Sequence, residues 1–195
     1  YLTVKTNQLS ENPMAELDLP KQKKALPRYL NLEESIRLLQ AVDGPNKARD
    51  YAIVTIFLNT GIRLSELCGI NLSDIRDNQL RVTGKGNKER TVYLNEACLS
   101  ALSEYRKVRP VDGVIDKNAL FLSNRRTRIS HQMVQNLVKK YIVKAGLDPE
   151  KYSVHKLRHT AATLMYRNGV DVRVLQEVLG HENLGTTQIY THLDN

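Results

Sequence analysis

Long apolar runs are absent from this 195-residue sequence: the longest, Ala52 to Leu58, spans only seven residues. A membrane-spanning helix needs roughly 18 or more apolar residues, so no such span is predicted. The first 30 residues also lack the apolar core of a secretory signal peptide. Cysteine is scarce, and Cys68 and Cys98 lie far apart in helical-looking sequence. This pattern indicates buried thiols in a reducing compartment, so we expect a cytoplasmic protein with no membrane partner.

Proline and glycine are few as well, with 6 and 10 residues, and 41% of the chain is hydrophobic. Wholesale disorder is therefore not expected, and the length suits one domain, or one domain with an appendage. A chain of this size can bury its own core without disulfide or metal staples. Lysine and arginine number 29 against 21 acidic residues, a net charge of +8. That excess favours a polyanionic partner such as nucleic acid, although a basic protein without that role has the same charge.

The first 28 residues have the composition of an extended, cationic linker. Three X-Pro pairs, ending at Pro13, Pro20 and Pro27, interrupt this stretch, and lysines and Arg28 cluster towards its end. We therefore expect residues 1–28 to be a linker and the remnant of a preceding domain.

From Asn31 onward the sequence predicts helices. Asn31 with Glu34 forms a capping-box pattern at the first helix start, and Gly61 ends a second helix. The predicted helices after the first are Lys47 to Thr60, Leu64 to Cys68, Asn95 to Val108, Ser130 to Ala145, one after Ser153 to near Gly169, one from Asp171 to Gly180, and about Leu184 to His192. Between them, residues 80–83 and 91–94 flank a Gly/Asn-containing turn and predict a β-hairpin. The fold class is therefore mainly α with a small antiparallel β-hairpin or sheet (α+β).

The segment after Ser153 places two basic side chains beside one another. On a helix, Val154, Leu157, Ala161 and Leu164 form one apolar stripe. Arg158 lies on the edge of this stripe, and a histidine three residues earlier stands beside it. Such a pair at the edge of the core can bind an anion, although an ordinary amphipathic helix with a basic face is the better explanation of the segment when it is taken alone.

Further candidates occur elsewhere in the chain in a defined order. Arg63 follows the helix-ending Gly61, with Glu66 one helical turn on, and Lys85 stands between two glycines in the hairpin turn. A histidine follows the glycine at position 180, and a tyrosine comes nine residues later. The full set is Arg63, Lys85, His155, Arg158, His181 and Tyr190.

This ordered set, with its local text, resembles the tyrosine recombinases, also called phage-type integrases, including the Xer-type enzymes. The matching text is Thr60–Leu67, Gly84–Gly86, His155–Thr160, Leu179–His181 and Thr187–His192. Six positions in the family's order make a chance match very improbable, whereas each pair alone is weak. The resemblance implies the family's DNA breaking-and-rejoining catalytic-domain fold over residues 29–195. Family members carry an N-terminal core-binding domain and a helix after the tyrosine, and we expect this sequence to lack both.

The chemistry of these residues fits transfer of a DNA phosphodiester to a tyrosine. Arg63 and Arg158 suit the charge on the non-bridging oxygens, because guanidinium groups stay charged and bind phosphate in a fork. Tyr190 is the predicted nucleophile. Its attack forms a 3′-phosphotyrosyl link, which conserves the energy of the diester, so the DNA strand can be resealed without ATP. Lys85 is the candidate acid for the 5′-hydroxyl, and His155 is the acid/base for the tyrosine proton.

Two further residues complete the predicted site. His181 is expected to donate a hydrogen bond to the scissile phosphate, and Glu66 to support the arginine–histidine cluster. No metal and no other cofactor are expected, because arginines serve as the phosphate clamp.

The expected partner is double-stranded DNA, bound as a homo- or hetero-tetramer on paired sites. Family resemblance suggests that the helix from Ser130 to Ala145 enters the major groove, where glutamine can bond adenine edges. The residues predicted to contact DNA are Gln132, Gln135, Lys139, Lys88 and Arg90.

Three other functions were weighed against the sequence, and the first two remain open. A basic helical module could bind DNA without cutting it, and a type IB topoisomerase-like enzyme would use the same chemistry to relax DNA. A metal-dependent hydrolase using His155 and His159 is disfavoured, because Lys156 stands where the zinc-protease motif has glutamate.

Overall fold

The computed structural model describes residues 29–168, which form a helical domain with one small sheet. The helices are α1 (Leu32–Gln40), α2 (Lys47–Thr60), α3 (Leu64–Gly69), α4 (Glu96–Val108), α5 (His131–Lys144) and α6 (Val154–Arg167). The strands are β1 (Ile75–Arg76), β2 (Gln79–Thr83) and β3 (Glu89–Tyr93). The mainly α fold class with an antiparallel sheet is confirmed. The helices predicted at 171–180 and 184–192 lie outside the described residues.

The helix boundaries follow from capping side chains in the sequence. Asn31 Oδ1 accepts a 2.8 Å bond from the Glu34 amide, and Glu34 Oε2 accepts a 2.9 Å bond from the Asn31 amide, which confirms the predicted capping box of α1. Asn95 caps α4 through the Cys98 amide at 3.0 Å, and Ser130 caps α5 through the Met133 amide at 3.1 Å. These residues therefore precede the helices rather than opening them as predicted.

Helix α2 is the centre of the core because its apolar residues cover its whole circumference. Ala52, Ile53, Val54, Ile56 and Phe57 are completely buried. The helix packs against α4 on one side and α6 on another. Within residues 29–168, no helix has both the length and the apolar character needed to cross a membrane.

A buried polar network joins α2 to α5. Asp50 forms an ion pair with Arg49 at 2.9 Å, and the Tyr141 hydroxyl donates a 2.6 Å hydrogen bond to Asp50 Oδ2. Burial and the neighbouring carboxylate raise the pKa of the Tyr141 phenol above its usual value. The network fixes where α5 lies on α2, and with it the exposed polar face of α5.

The sheet has the strand order β1-β2-β3 and is antiparallel throughout. Leu80 and Val82 on β2, with Val92 on β3, turn one face of the sheet into the core, as an alternating pattern requires. The predicted hairpin is confirmed as β2 and β3, with a short 3₁₀ turn over Lys85–Asn87 between them. The two-residue strand β1 was not predicted, because two residues are too few to show a period.

Candidate active site

Arg63 lies in the short connection between α2 and α3. Gly61 ends α2 in the left-handed conformation, with φ of 64°, and Arg63 precedes the first residue of α3. The Arg63 amide donates a 2.8 Å hydrogen bond to Glu66 Oε1. The conformation of Gly61 and the hydrogen bond to Glu66 fix the backbone at Arg63, so the side chain of Arg63 leaves the edge of the core at a defined position.

Arg158 reaches the same connection from α6. Its Nη1 donates a 2.8 Å hydrogen bond to the carbonyl oxygen of Gly61, although the two residues are 97 positions apart in the sequence. The carbonyls at a helix C-terminus lack partners within the helix and carry partial negative charge, so a guanidinium is a favourable partner. The bond holds the guanidinium of Arg158 against the backbone of Gly61, two residues before Arg63 in the chain, so the two predicted phosphate ligands meet at the same connection.

The hairpin turn meets this connection at Gly84. A Cβ atom added at Gly84 would lie 3.5 Å from Glu66 Oε2 and 3.8 Å from Arg63 Nη1. The backbone at the end of β2 is thus in near contact with both side chains. Lys85, the next residue, is exposed, as is Lys88 on the far side of the turn. The turn therefore presents two exposed lysines on a backbone that lies close to Arg63.

Glu66 is the buried acid of the cluster. Its side chain has no exposed surface, and its Oε2 accepts a hydrogen bond from Arg90 Nη1 in β3, whose side chain is only 15% exposed. The structure thus engages Arg90 within the protein, and the DNA contact predicted for it stays a prediction. Sequence reasoning did not find this pair, because nothing in the local text says which strand residue faces α3.

The two histidines of α6 lie in different environments. His155 is exposed, one helical turn before Arg158, whereas His159 is half-buried. Burial, with the neighbouring charges of Lys156, Arg158 and His155, lowers the pKa of His159 below its usual 6.5. His155 is thus the histidine open to solvent beside the arginine pair.

The predicted base-reading residues lie on one exposed face of α5. Gln132, Gln135 and Lys139 are exposed, while Val134 and Val138 on the opposite face are buried. Gln132 Nε2 donates a 2.9 Å hydrogen bond to Asn136 Oδ1. The prediction of a polar, outward-facing surface on this helix is confirmed, but its contact with DNA stays a prediction.

Two members of the predicted set, His181 and Tyr190, lie outside the described residues. The structure therefore brings together Arg63, Arg158, Glu66 and the turn that carries Lys85, with His155 adjacent on α6. It adds Gly61 and Gly84, which the sequence showed only as a helix end and a turn residue. Across residues 29–168, no three His, Cys, Asp or Glu side chains are grouped closely enough to hold a metal ion.

Comparison with curated proteins identifies close relatives. The tyrosine recombinase XerC of Caldanaerobacter subterraneus subsp. tengcongensis is 61% identical over 196 residues, covering 100% of this chain and 56% of that protein. The XerC of Thermodesulfovibrio yellowstonii is 41% identical over 192 residues, covering 94% of this chain and 64% of that protein. This chain therefore spans less than two thirds of the length of these relatives.

Solved structures show the same fold. The crystal structure of XerA recombinase aligns with a TM-score of 0.78 and 38% identity, over 87% of this chain and 62% of that one. The post-cleavage complex of XerH recombinase with its palindromic difH substrate aligns with a TM-score of 0.77 and 32% identity, over 87% of this chain and 51% of that one. A model of the phage integrase family matches residues 28–195. The chain belongs to the phage integrase family, that of the tyrosine recombinases.

Proposed function

We propose that this chain carries the catalytic domain of a site-specific DNA recombinase, which cuts and rejoins DNA through a 3′-phosphotyrosyl intermediate. The observation that carries the proposal is the 2.8 Å bond from Arg158 to Gly61, since it brings the Arg158 guanidinium to the backbone two residues before Arg63. Membership of the phage integrase family supports the assignment, as does the DNA-bound state of the related XerH structure.

Arg63 and Arg158 bind the non-bridging oxygens of the scissile phosphate. Phosphoryl transfer depends mainly on positioning and on stabilising charge, and two preorganised arginines provide both. Glu66 supports the first arginine through the Arg63 amide. His181 donates a further hydrogen bond to the phosphate.

Tyr190 attacks the phosphorus and releases the 5′-hydroxyl. His155 accepts the proton of the attacking tyrosine and returns it in the reverse step. Its exposed position beside Arg158 leaves it accessible to a bound substrate. Lys85 donates the proton to the leaving oxygen from the exposed hairpin turn, next to the arginine cluster.

DNA recognition is assigned to the exposed face of α5. Gln132 and Gln135 read base edges in the major groove, and Lys139 and Lys88 contact phosphates. The partner is double-stranded DNA, on which four subunits, identical or of two kinds, assemble over paired sites.

Residues 29–195 form the catalytic domain, and residues 1–28 lead into it as a linker. The completely buried Leu30, whose amide donates a 2.9 Å hydrogen bond to Thr160 Oγ1, supports this boundary. We place the protein in the cytoplasm. In support, Cys68 and Cys98 are buried free thiols, and burial raises the pKa of each to about 11.

The test is a covalent adduct on a denaturing gel. The chain is incubated with a nicked suicide substrate carrying a related recombination site, and a protein–DNA band is expected that disappears in Tyr190→Phe. Tyr152→Phe is the matched control and should retain the band. An adduct that survives Tyr190→Phe contradicts the nucleophile assignment, while tight binding with no adduct identifies a binding module. Relaxation of supercoiled DNA without strand exchange identifies a topoisomerase-like activity.

A further inference from the structure

The buried carboxylate of Glu66 joins two separate elements of the candidate active site. Its Oε1 accepts the hydrogen bond from the Arg63 amide at the start of α3, and its Oε2 accepts one from Arg90 of β3. One fully buried carboxylate is thereby shared between a helix start and a strand. A charged group in such a place is tolerated only when it is paired and hydrogen-bonded, so this arrangement is built into the fold.

Arg90 stands at the base of the turn that carries Lys85. It pairs with Val82 in the β2–β3 ladder, and only the Thr83–Glu89 pair lies between it and the turn. Within the turn, the Gly84 amide donates a 2.8 Å hydrogen bond to the Lys88 carbonyl oxygen. Residues 85–89 are exposed, so few packing contacts restrain them.

The two sides of the Glu66–Arg90 pair differ in how firmly the rest of the fold holds them. Helix α3 is anchored by Leu67 and Cys68, which are buried in the main core. The hairpin tip projects from the sheet with its side chains in solvent. Loss of the pair therefore releases the turn rather than the helix.

We propose that Arg90 is a positioning residue, whose ion pair with Glu66 holds the Lys85 turn in place against Arg63. This inference rests on the proposed function, because it assigns the turn's position a role in strand cleavage. Arg90 does not touch the substrate in this role and acts only through the turn. A guanidinium suits the task, since its planar fork fixes direction as well as distance.

The test compares a variant that lacks the buried Glu66–Arg90 pair with a variant that lacks a more exposed ion pair of the same hairpin. Arg90→Met alone would leave the Glu66 charge buried without this partner, so the informative variant is the double change Arg90→Met with Glu66→Gln. Glutamine can still accept the bond from the Arg63 amide, because it replaces glutamate in capping boxes. Arg81→Met is the matched control: it removes the 3.2 Å pair with Asp74 from β2 of the same hairpin, and the Arg81 side chain is 57% exposed.

The first measurement is hydrogen–deuterium exchange of the hairpin. In the double variant, the amides of residues 83–89 should exchange faster, while those of α3 stay as slow as in the parent. Arg81→Met should leave residues 83–89 unchanged. Unchanged exchange of this segment in the double variant overturns the proposal.

The second measurement is a double-mutant cycle, in which cleavage rates are compared for the double variant, for Lys85→Ala and for the two combined. Misplacing a catalytic group by about 1 Å can slow a reaction on the order of 100-fold, so the double variant should cleave roughly 10- to 100-fold slower than the parent. Added to Lys85→Ala, the same change should slow cleavage no further, because the turn no longer carries its lysine. Multiplying effects would overturn the proposal, since they would mean that the Glu66–Arg90 pair acts on the phosphate or on Arg63 and not through the turn. Arg81→Met should cleave as the parent does.

Failure of the proposed function gives a different result. If the parent chain forms no Tyr190 adduct, the recombinase assignment fails, and the exchange measurement still decides whether the ion pair holds the turn. If the parent forms the adduct and the double variant matches it in rate, only the inference about Arg90 fails.

Discussion

His159 links the stability of the domain to pH through its own burial. Its pKa lies below 6.5 in the folded protein because burial and the charges of Lys156, Arg158 and His155 disfavour the protonated ring. The unfolded chain therefore binds this proton more readily than the folded one. The contribution of His159 to the free energy of unfolding is fully present above about pH 6.5 and is lost as the pH drops through the folded-state pKa.

The change His159→Gln should make that loss smaller. Urea denaturation of parent and variant at several pH values between 5 and 8 measures it, and the free energy of unfolding should fall less steeply below pH 6.5 in the variant. The difference between the two proteins at pH 8, where both side chains are neutral, gives the structural cost of the substitution. Parallel curves over the whole range would show that His159 does not contribute.

Lys85 is proposed to protonate the leaving 5′-oxygen because of its chemistry and its place in the hairpin turn, so the prediction is tested by changing the leaving group. A 5′-sulfur leaves without needing a proton, whereas a 5′-oxygen needs one. Lys85→Ala should therefore cleave ordinary DNA severely slowly and a 5′-thio substrate at nearly the parent rate. Arg158→Ala should stay slow on both substrates, because it stabilises the non-bridging oxygens. A Lys85→Ala defect that persists on the thio substrate would assign this lysine to DNA binding.

For single residues, the sequence proposed candidates for the site but did not specify what each side chain touches. Arg63 and Glu66 were noted as one helical turn apart, and the structure joins them by a hydrogen bond from the Arg63 amide to Glu66 Oε1. Arg90 was expected to contact DNA, yet its side chain is only 15% exposed and pairs with Glu66, whose side chain has no exposed surface. Strand position alone does not specify the element on which a long side chain packs.

Among the elements, the end of α2 has the most direct bearing on the site. Gly61 ends the helix in the left-handed conformation, and its carbonyl oxygen holds Arg158. The glycine was predicted as a helix end because such ends favour a residue without a Cβ atom. The helix bounds Lys47–Thr60 are confirmed to the residue.

Replacing Gly61 with alanine should therefore affect both stability and cleavage. A side chain in the left-handed region costs about 1–2 kcal/mol, so the free energy of unfolding should fall by that amount. Any shift of the carbonyl also moves Arg158, so adduct formation should slow. Chemical denaturation and the adduct gel measure the two effects.

Gly146→Ala is the matched control for this change. Gly146 also follows a helix in the left-handed region, with φ of 75°, and a Cβ atom there would meet nothing within 4 Å. It should lose similar stability and keep its cleavage rate. Equal slowing in both variants would show that the effect on cleavage comes from instability alone.

For the whole molecule, the sequence predicted the fold class but not the arrangement of its helices. Helix α2 was predicted from its sequence without a position in the fold, and in the structure Ala52, Ile53, Val54, Ile56 and Phe57 on it are completely buried. That α6 crosses α2 so that Arg158 meets Gly61 depends on packing between segments 97 residues apart, which local periodicity cannot express. The resemblance to a known family supplied the link that spacing could not.

The charge of the whole chain bears on its need for metal. With a net charge of +8 and two arginines assigned to the phosphate, the protein supplies cationic stabilisation from its own side chains. Metal-free protein should therefore form the adduct in excess EDTA at the same rate as without EDTA, measured on the same suicide substrate. A magnesium-dependent nuclease in the same buffer should lose its activity, which verifies that the chelator is effective. Loss of the adduct in EDTA with recovery on adding magnesium, at constant ionic strength, would overturn the assignment of the phosphate clamp to Arg63 and Arg158.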